Sequence, residues 1–150
     1  MELFHGSNVA IRQPEILTSG FYKDFGYGFY CTLLEKQARR WASTKRPARV
    51  VSGYAYTPDK SLDILVFETT TEEWLDFVVA CRSGKPHAFD IVEGPMADDT
   101  IWDYIEEFVA GNITREAFWA LMKFKRPTHQ IAFCTDRALR TIRFIKSYEL

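Results

Sequence analysis

The chain has no run of about 18 apolar residues, the least that a membrane-crossing helix needs, and His5 interrupts its first apolar stretch before a secretory core could form. A soluble, cytoplasmic protein with no membrane partner is expected. Cysteine is scarce: Cys31, Cys81 and Cys134 form no CxxC pair, and each sits in an apolar run. They read as small core residues in a reducing compartment, not as a disulfide framework. Three scattered histidines beside them do not offer the four spaced ligands of a zinc site, so no metal is expected. No Pro/Gly/Ser linker, repeat or low-complexity tract divides the sequence. Gly26-x-Gly28 meets Cys31 where a dinucleotide fingerprint needs its third glycine, which excludes the Rossmann reading.

What is present is apolar and aromatic. With 150 residues, 47% hydrophobic and 15% aromatic, the chain can bury one core and is too short for two ordinary domains, so residues 1–150 are expected to form one. The net charge of -1 hides an asymmetry: residues 1–58 hold 8 basic and 4 acidic side chains, 59–116 hold 4 and 14, and 117–150 hold 7 and 2. A cleft built from the two ends would meet a dianionic ligand with a basic surface; ordinary solvated faces are the plainer reading.

Clusters of β-branched and aromatic residues predict strands at Glu2 to His5, Gly28 to Leu33, Arg49 to Thr57, Asp63 to Glu68, Phe89 to Val92, Gln130 to Cys134 and Arg143 to Tyr148. Helices are expected between them. Thr70-x-x-Glu73 reads as a capping box, followed by Trp74, Phe77, Val78 and Cys81 at helical spacing up to Gly84. Ile101, Tyr104, Ile105 and Phe108 repeat the spacing behind Asp98 or Asp99 as cap, and Phe118, Leu121 and Met122 form one face of a helix after Thr114. Strands at both ends with helices in the middle fit an α+β domain better than a doubly wound sheet.

Three short segments remain: Leu3-Phe4-His5-Gly6-Ser7, Phe25-Gly26-Tyr27-Gly28-Phe29-Tyr30 and Gln130-Ile131-Ala132-Phe133. Singly, His5 is a satisfied core or edge histidine and Gly26-x-Gly28 a hairpin turn. Tyr30 and Trp41 are then core aromatics, since a helix from Glu35 to Arg46 turns Ala38, Trp41 and Ala42 to one side. Taken together and in order, the segments resemble the His, Tyr and acid strands of ADP-ribosyltransferases of the diphtheria-toxin and poly(ADP-ribose) polymerase type, with Gln130 in the acid's place. Trp41, eleven residues after Tyr30, falls at that family's second aromatic, and Ala38 where many members have serine. The stretch from Asp90 to Asp99 is similar to a small bacterial family of the same clan, domain of unknown function 3990.

The resemblance implies a split pair of small antiparallel sheets clasping NAD as co-substrate, with flanking helices. His5 would bond the adenosine-side ribose, Gly6 would present backbone groups to the carboxamide, and Tyr30 and Trp41 would sandwich the nicotinamide. Ser7 and Gly28 belong to the same NAD-binding set. It also implies mono-ADP-ribosylation of a macromolecular acceptor, protein or nucleic acid, and the role of a toxin or defence effector paired with an antitoxin protein. His5, Tyr30 and Gln130 are the expected catalytic set.

Gln130 keeps the hydrogen bond of a glutamate and gives up its charge and basicity. Single transfers, substitution by another carboxylate, and binding without turnover all remain open, and chain elongation is disfavoured in each. The substitute carboxylates weighed are Asp90, Asp98 and Asp99, with helix capping by Asp98 or Asp99 as the structural alternative. Gly94-Pro95 reads as a turn. NAD hydrolysis and a non-catalytic NAD or ADP-ribose binding module are the rival functions. A nucleic-acid partner is favoured by Lys123, Lys125, Arg126, Arg137, Arg140 and Arg143, without a base-reading motif.

Overall fold

The computed structural model describes residues 1–18 and 22–150. It is a mixed α+β protein with two open sheets and, among the described residues, five helices. In chain order these are β1 (Glu2–Ser7), β2 (Phe29–Cys31), α1 (Glu35–Ser43), β3 (Val50–Tyr56), β4 (Ile64–Val66), α2 (Glu72–Arg82), β5 (Ile91–Pro95), α3 (Asp99–Val109), α4 (Arg115–Met122), β6 (His129–Phe133), α5 (Asp136–Leu139) and β7 (Ile142–Glu149). The smaller sheet runs β1-β3-β7 and the larger β2-β6-β5-β4; every pairing is antiparallel except β4 with β5. No helix among the described residues is long and apolar enough to cross a membrane.

Strand alternation assigns each face. Phe29, Cys31, Ile91, Ile131 and Phe133 turn one face of the larger sheet onto Leu3, Tyr54, Tyr56 and Ile142 of the smaller one. Tyr30, Val92 and Ala132 turn the opposite way, onto Trp74, Leu75 and Val78 of α2, Ile101 and Ile105 of α3, and Phe118 of α4. Phe4 and Val51 carry the far side of the smaller sheet against Ala38 and Ala42 of α1. The sheets also meet edge to edge: Phe4 and Thr32 exchange both backbone hydrogen bonds at 2.9 Å.

Helix starts follow local chemistry. The side chains of Thr71, Asp98, Thr114 and Thr135 accept from the N–H three residues on, opening α2, α3, α4 and α5. Thr71 and not Thr70 is the cap of α2, and since Trp74 stands three residues after it, no capping box forms. Gly94-Pro95 is not a turn but the end of β5, paired with Gln130 and His129. Proline is tolerated there because the pairing with β4 has already ended at Glu93, so no ladder donor is missing on that side. Leu121 is exposed, leaving Phe118 and Met122 as the buried face of α4. α1 stops at Ser43, short of Arg46, and α5, with a single turn, is too short to show helical periodicity in the sequence.

Asp98→Ala removes the cap of α3 and should lower the unfolding free energy by about 1 kcal/mol. Asp99→Ala, which removes only a carboxylate favourable to the helix dipole, should cost less than about 0.5 kcal/mol. Urea denaturation of the two variants beside the parent measures both.

Candidate functional site

Beyond Phe4 and Thr32 the two sheet edges part. Antiparallel alternation points the N–H and C=O of Gly6 toward the same free edge as those of Phe4, and Tyr30 toward the same edge as Thr32. Where the edges separate, the His5 ring fills the gap: its Nδ1 donates to the Tyr30 carbonyl at 2.5 Å and the ring stacks on Phe29 with centroids 4.4 Å apart. Burial first of all, then the nearby Lys45 and Lys23, lower its pKa to about 4 against the pull of the Tyr30 carbonyl. The imidazole is therefore neutral near pH 7; with Nδ1 the donor, Nε2 is an acceptor.

The fork opens into a cavity of about 640 Å³, within the range of about 300–1,000 Å³ common to small-molecule sites. His5, Gly6, Ser7, Gly28, Tyr30, Trp41 and Gln130 all line it, drawn from β1, β2 and the residue before it, α1 and β6. Asp90, Asp98 and Asp99 do not. Asp90 is 1% exposed and accepts from Arg137 Nε at 2.9 Å, Arg137 guanidinium NH2 at 2.7 Å, Thr135 Oγ1 at 2.6 Å and Asp63 N–H at 2.9 Å. The Arg137 hydrogen bonds hold its carboxyl well below the usual range. It ties the entrance of β5 to α5, and Asp98 is spent on capping α3. The segment reaches the cavity through Met96 and Ala97 instead.

Two carboxylates do line the cavity, Glu15 and Asp24, and of these Asp24 is the buried one. It is 3% exposed and hydrogen-bonded to Arg82, to the Ala97 N–H and to Gln130. Arg82, at the end of α2, lies 4.1 Å from the Trp102 ring centroid. Lys23 and Lys45 are two further cations on the lining, and neither forms a salt bridge among the described residues. The Lys23 pKa is lowered by burial and by Lys45 and Arg82, with Asp24 opposing. The cationic lining thus comes from the basic first segment plus one arginine from the acidic middle, and not from both ends of the chain as expected, since the basic last segment contributes only Gln130.

Two glycines have reasons the sequence did not show. A Cβ on Gly6 would lie 2.3 Å from the Ala38 carbonyl oxygen and 2.7 Å from Ala42 N, so the missing side chain admits α1. A Cβ on Gly28 would lie 2.9 Å from the Phe133 carbonyl oxygen, so that glycine admits β6. Tyr30 is also more structural than an open stacking face: its hydroxyl donates to Gly26 O at 2.6 Å and accepts from Phe25 N–H at 3.0 Å, and burial pushes the phenol well up. Trp41 is half-buried. His129 Nε2 is hydrogen-bonded to Glu93 at 3.0 Å, while His87 Nδ1 accepts from the Phe89 N–H at 3.1 Å and its Nε2 donates to the Phe25 carbonyl at 2.8 Å; neither histidine lines the cavity.

Asp24, Arg82, Lys23 and Lys45 had no readable signal. Lys23-Asp24 precedes β2 in irregular chain, and Arg82 reads as an ordinary cation favourable to a helix C-terminus.

Fold and cavity define an α+β protein with a ligand-sized cleft where two open sheets diverge. The chain belongs to the family described as a protein of unknown function, DUF3990, whose model matches residues 1–144. No curated protein and no solved structure matches it.

The His5 ring should titrate by NMR with a midpoint near 4, far below the ordinary 6.5. Because the unfolded chain takes up this proton first, His5 contributes stability that is fully present above about pH 6.5 and is lost as the pH falls toward 4. His5→Gln should flatten that part of the stability profile. A midpoint near 6.5 would contradict a buried, neutral ring.

Proposed function

We propose that the chain is a mono-ADP-ribosyltransferase-type enzyme that binds NAD in the cavity and passes ADP-ribose to a macromolecular acceptor. The observation that carries the reading is the convergence of His5, Gly6, Tyr30, Trp41 and Gln130, residues from four separate parts of the chain, on one cavity. The resemblance named these residues from their order alone. Two sheets that part at an edge support the same reading, although the resemblance implies antiparallel sheets and the larger one is mixed, with β4 parallel to β5.

The chemistry of the lining fits a dinucleotide. Lys23 and Lys45 suit a pyrophosphate, His5 Nε2 suits a ribose hydroxyl, and the backbone edge of Gly6 offers a donor and an acceptor to an amide. Trp41 offers an aromatic face, on which a cationic pyridinium ring is stabilised. In the reaction the C1′–N bond of the nicotinamide riboside breaks, its electron pair leaves with nicotinamide, and positive charge builds on the ribose ring. An acceptor oxygen, nitrogen or sulfur bonds to C1′ and releases its proton to water. The Gln130 carbonyl, an acceptor, orients a ribose hydroxyl while the charge develops.

The test uses NAD labelled in the adenylate, incubated with the protein and a cell extract, with calorimetry of NAD binding in parallel. Label is expected on protein or nucleic acid, with release of nicotinamide. Release of free ADP-ribose alone would indicate hydrolysis, and binding without release a binding module. Gln130→Ala should cut nicotinamide release at least tenfold with little change in NAD affinity, because its hydrogen bond matters most as charge develops. Trp41→Ala should weaken NAD binding by about 1 kcal/mol or more, roughly a fivefold rise in Kd. Trp41 is the better choice for this measurement because truncating Tyr30 would also open the core.

A further inference from the structure

The glutamine at position 130 has a neighbour that accounts for it. Asp24 Oδ1 accepts from Arg82 Nε at 2.8 Å and from its terminal nitrogen at 2.6 Å. Asp24 Oδ2 accepts from the Ala97 N–H at 2.8 Å and from Gln130 Nε2 at 2.9 Å. A carboxylate only accepts, so the contact fixes which way the amide faces: its NH2 group must point at Asp24. The carbonyl Oε1 is then turned away. Among the described residues no donor bonds to that oxygen, and Gln130 lines the cavity.

A glutamate in the same place would set a second carboxylate oxygen about where Nε2 stands, 2.9 Å from Asp24 Oδ2. Two carboxylates at that separation cannot both ionise, and one keeps a proton. The amide removes this conflict and leaves one fixed acceptor facing the ligand.

We infer that Asp24, itself anchored by Arg82 and the Ala97 amide, is a positioning residue that locks the Gln130 side chain with its carbonyl oxygen toward the bound ribose, so that glutamine in this chain is required by Asp24 and is not a lapsed glutamate. The inference rests on the reading of the cavity as the NAD site. It reverses the ordinary expectation for the resemblance, in which restoring glutamate should raise activity.

The experiment compares the parent with Gln130→Glu, Asp24→Asn and the double variant, following nicotinamide release from NAD across pH 5–9, NAD affinity by calorimetry and folding by thermal unfolding. Gln130→Glu should be at least tenfold slower than the parent, with a new sigmoidal pH dependence from the shared proton. Asp24→Asn should lose at least tenfold in kcat with NAD affinity within about threefold, since the amide loses its fixed orientation. The double variant, with one carboxylate again, should recover at least tenfold over Gln130→Glu. A purely structural Asp24 would not produce that recovery.

A second readout needs no NAD. In the parent, the Gln130 side-chain NH2 protons should appear by NMR as a resolved pair protected from solvent exchange, and in Asp24→Asn that protection should be lost. Gln130→Glu as fast as the parent or faster, or unprotected Gln130 protons in the parent, would overturn the inference while leaving the NAD site intact. A folded parent that neither binds nor cleaves NAD would overturn the site reading and this inference with it. Should Asp24→Asn fail to fold, Gln130→Glu and the parent spectrum still decide the matter.

Discussion

Two backbone hydrogen bonds between Phe4 and Thr32 join the sheets, and the geometry of the cleft follows from where that joint ends. One residue pair further along, the edges are drawn apart by their own packing. Gly6 is held against α1, which comes so close that no Cβ fits, while Phe29 and Tyr30 are committed to opposite faces of the larger sheet. Parting a sheet edge strands backbone donors and acceptors that must find partners. The His5 ring satisfies the Tyr30 carbonyl. The edge groups of Gly6 are left for whatever fills the cavity, which makes the fork a polar site with apolar walls.

The second constraint is the charge on Asp24. A carboxylate this buried is strongly destabilising unless it is fully hydrogen-bonded, and the four donors that stabilise it come from three different places: the end of α2, the turn after β5 and the start of β6. Satisfying one charge therefore fixes the mutual position of three elements around the cavity. Asp90 does the same at the opposite end of the β5–β6 pair, where Arg137, Thr135 and the Asp63 amide surround it. The protein uses buried acids as cross-ties, and the two ties differ in what they face. Asp90 is enclosed by structural partners, whereas Asp24 has one partner, Gln130, that lines the cleft.

The alternation of Gln130, Ile131, Ala132 and Phe133 was legible because a half-buried strand writes its faces into every second residue; Ile131 and Phe133 do enter the core between the sheets. The same holds for the helical stripes of α2 and α3. What was not legible lies in irregular chain or depends on distant partners. Asp24 acquires its role only from Arg82, Ala97 and Gln130, 58, 73 and 106 residues away, and no local pattern records such a contact. Gly94-Pro95 misled because proline, which has no N–H to donate, suits a strand end with no neighbour on that side as well as it suits a turn. Asp90, Asp98 and Asp99 drew notice as acids in a row near a suspected site, yet a capping carboxylate and a core ion pair present the same letters.

The groups nearest the proposed reacting centre share one property: none is charged near neutral pH. Burial keeps His5 unprotonated and Tyr30 un-ionised, and Gln130 has no charge to lose. Charge stands behind them or beside them, as Asp24 paired with Arg82 and as Lys23 and Lys45. Under the NAD reading this division suits a ligand whose nicotinamide end changes from cation to neutral leaving group while its pyrophosphate stays anionic throughout. A fixed negative charge touching the pyridinium would stabilise the bound ground state as well as the transition state, and interactions made equally in both do not speed the chemical step. On the same reading, an oriented amide dipole held by a carboxylate one hydrogen bond away would stabilise the charge on the ribose chiefly as it develops.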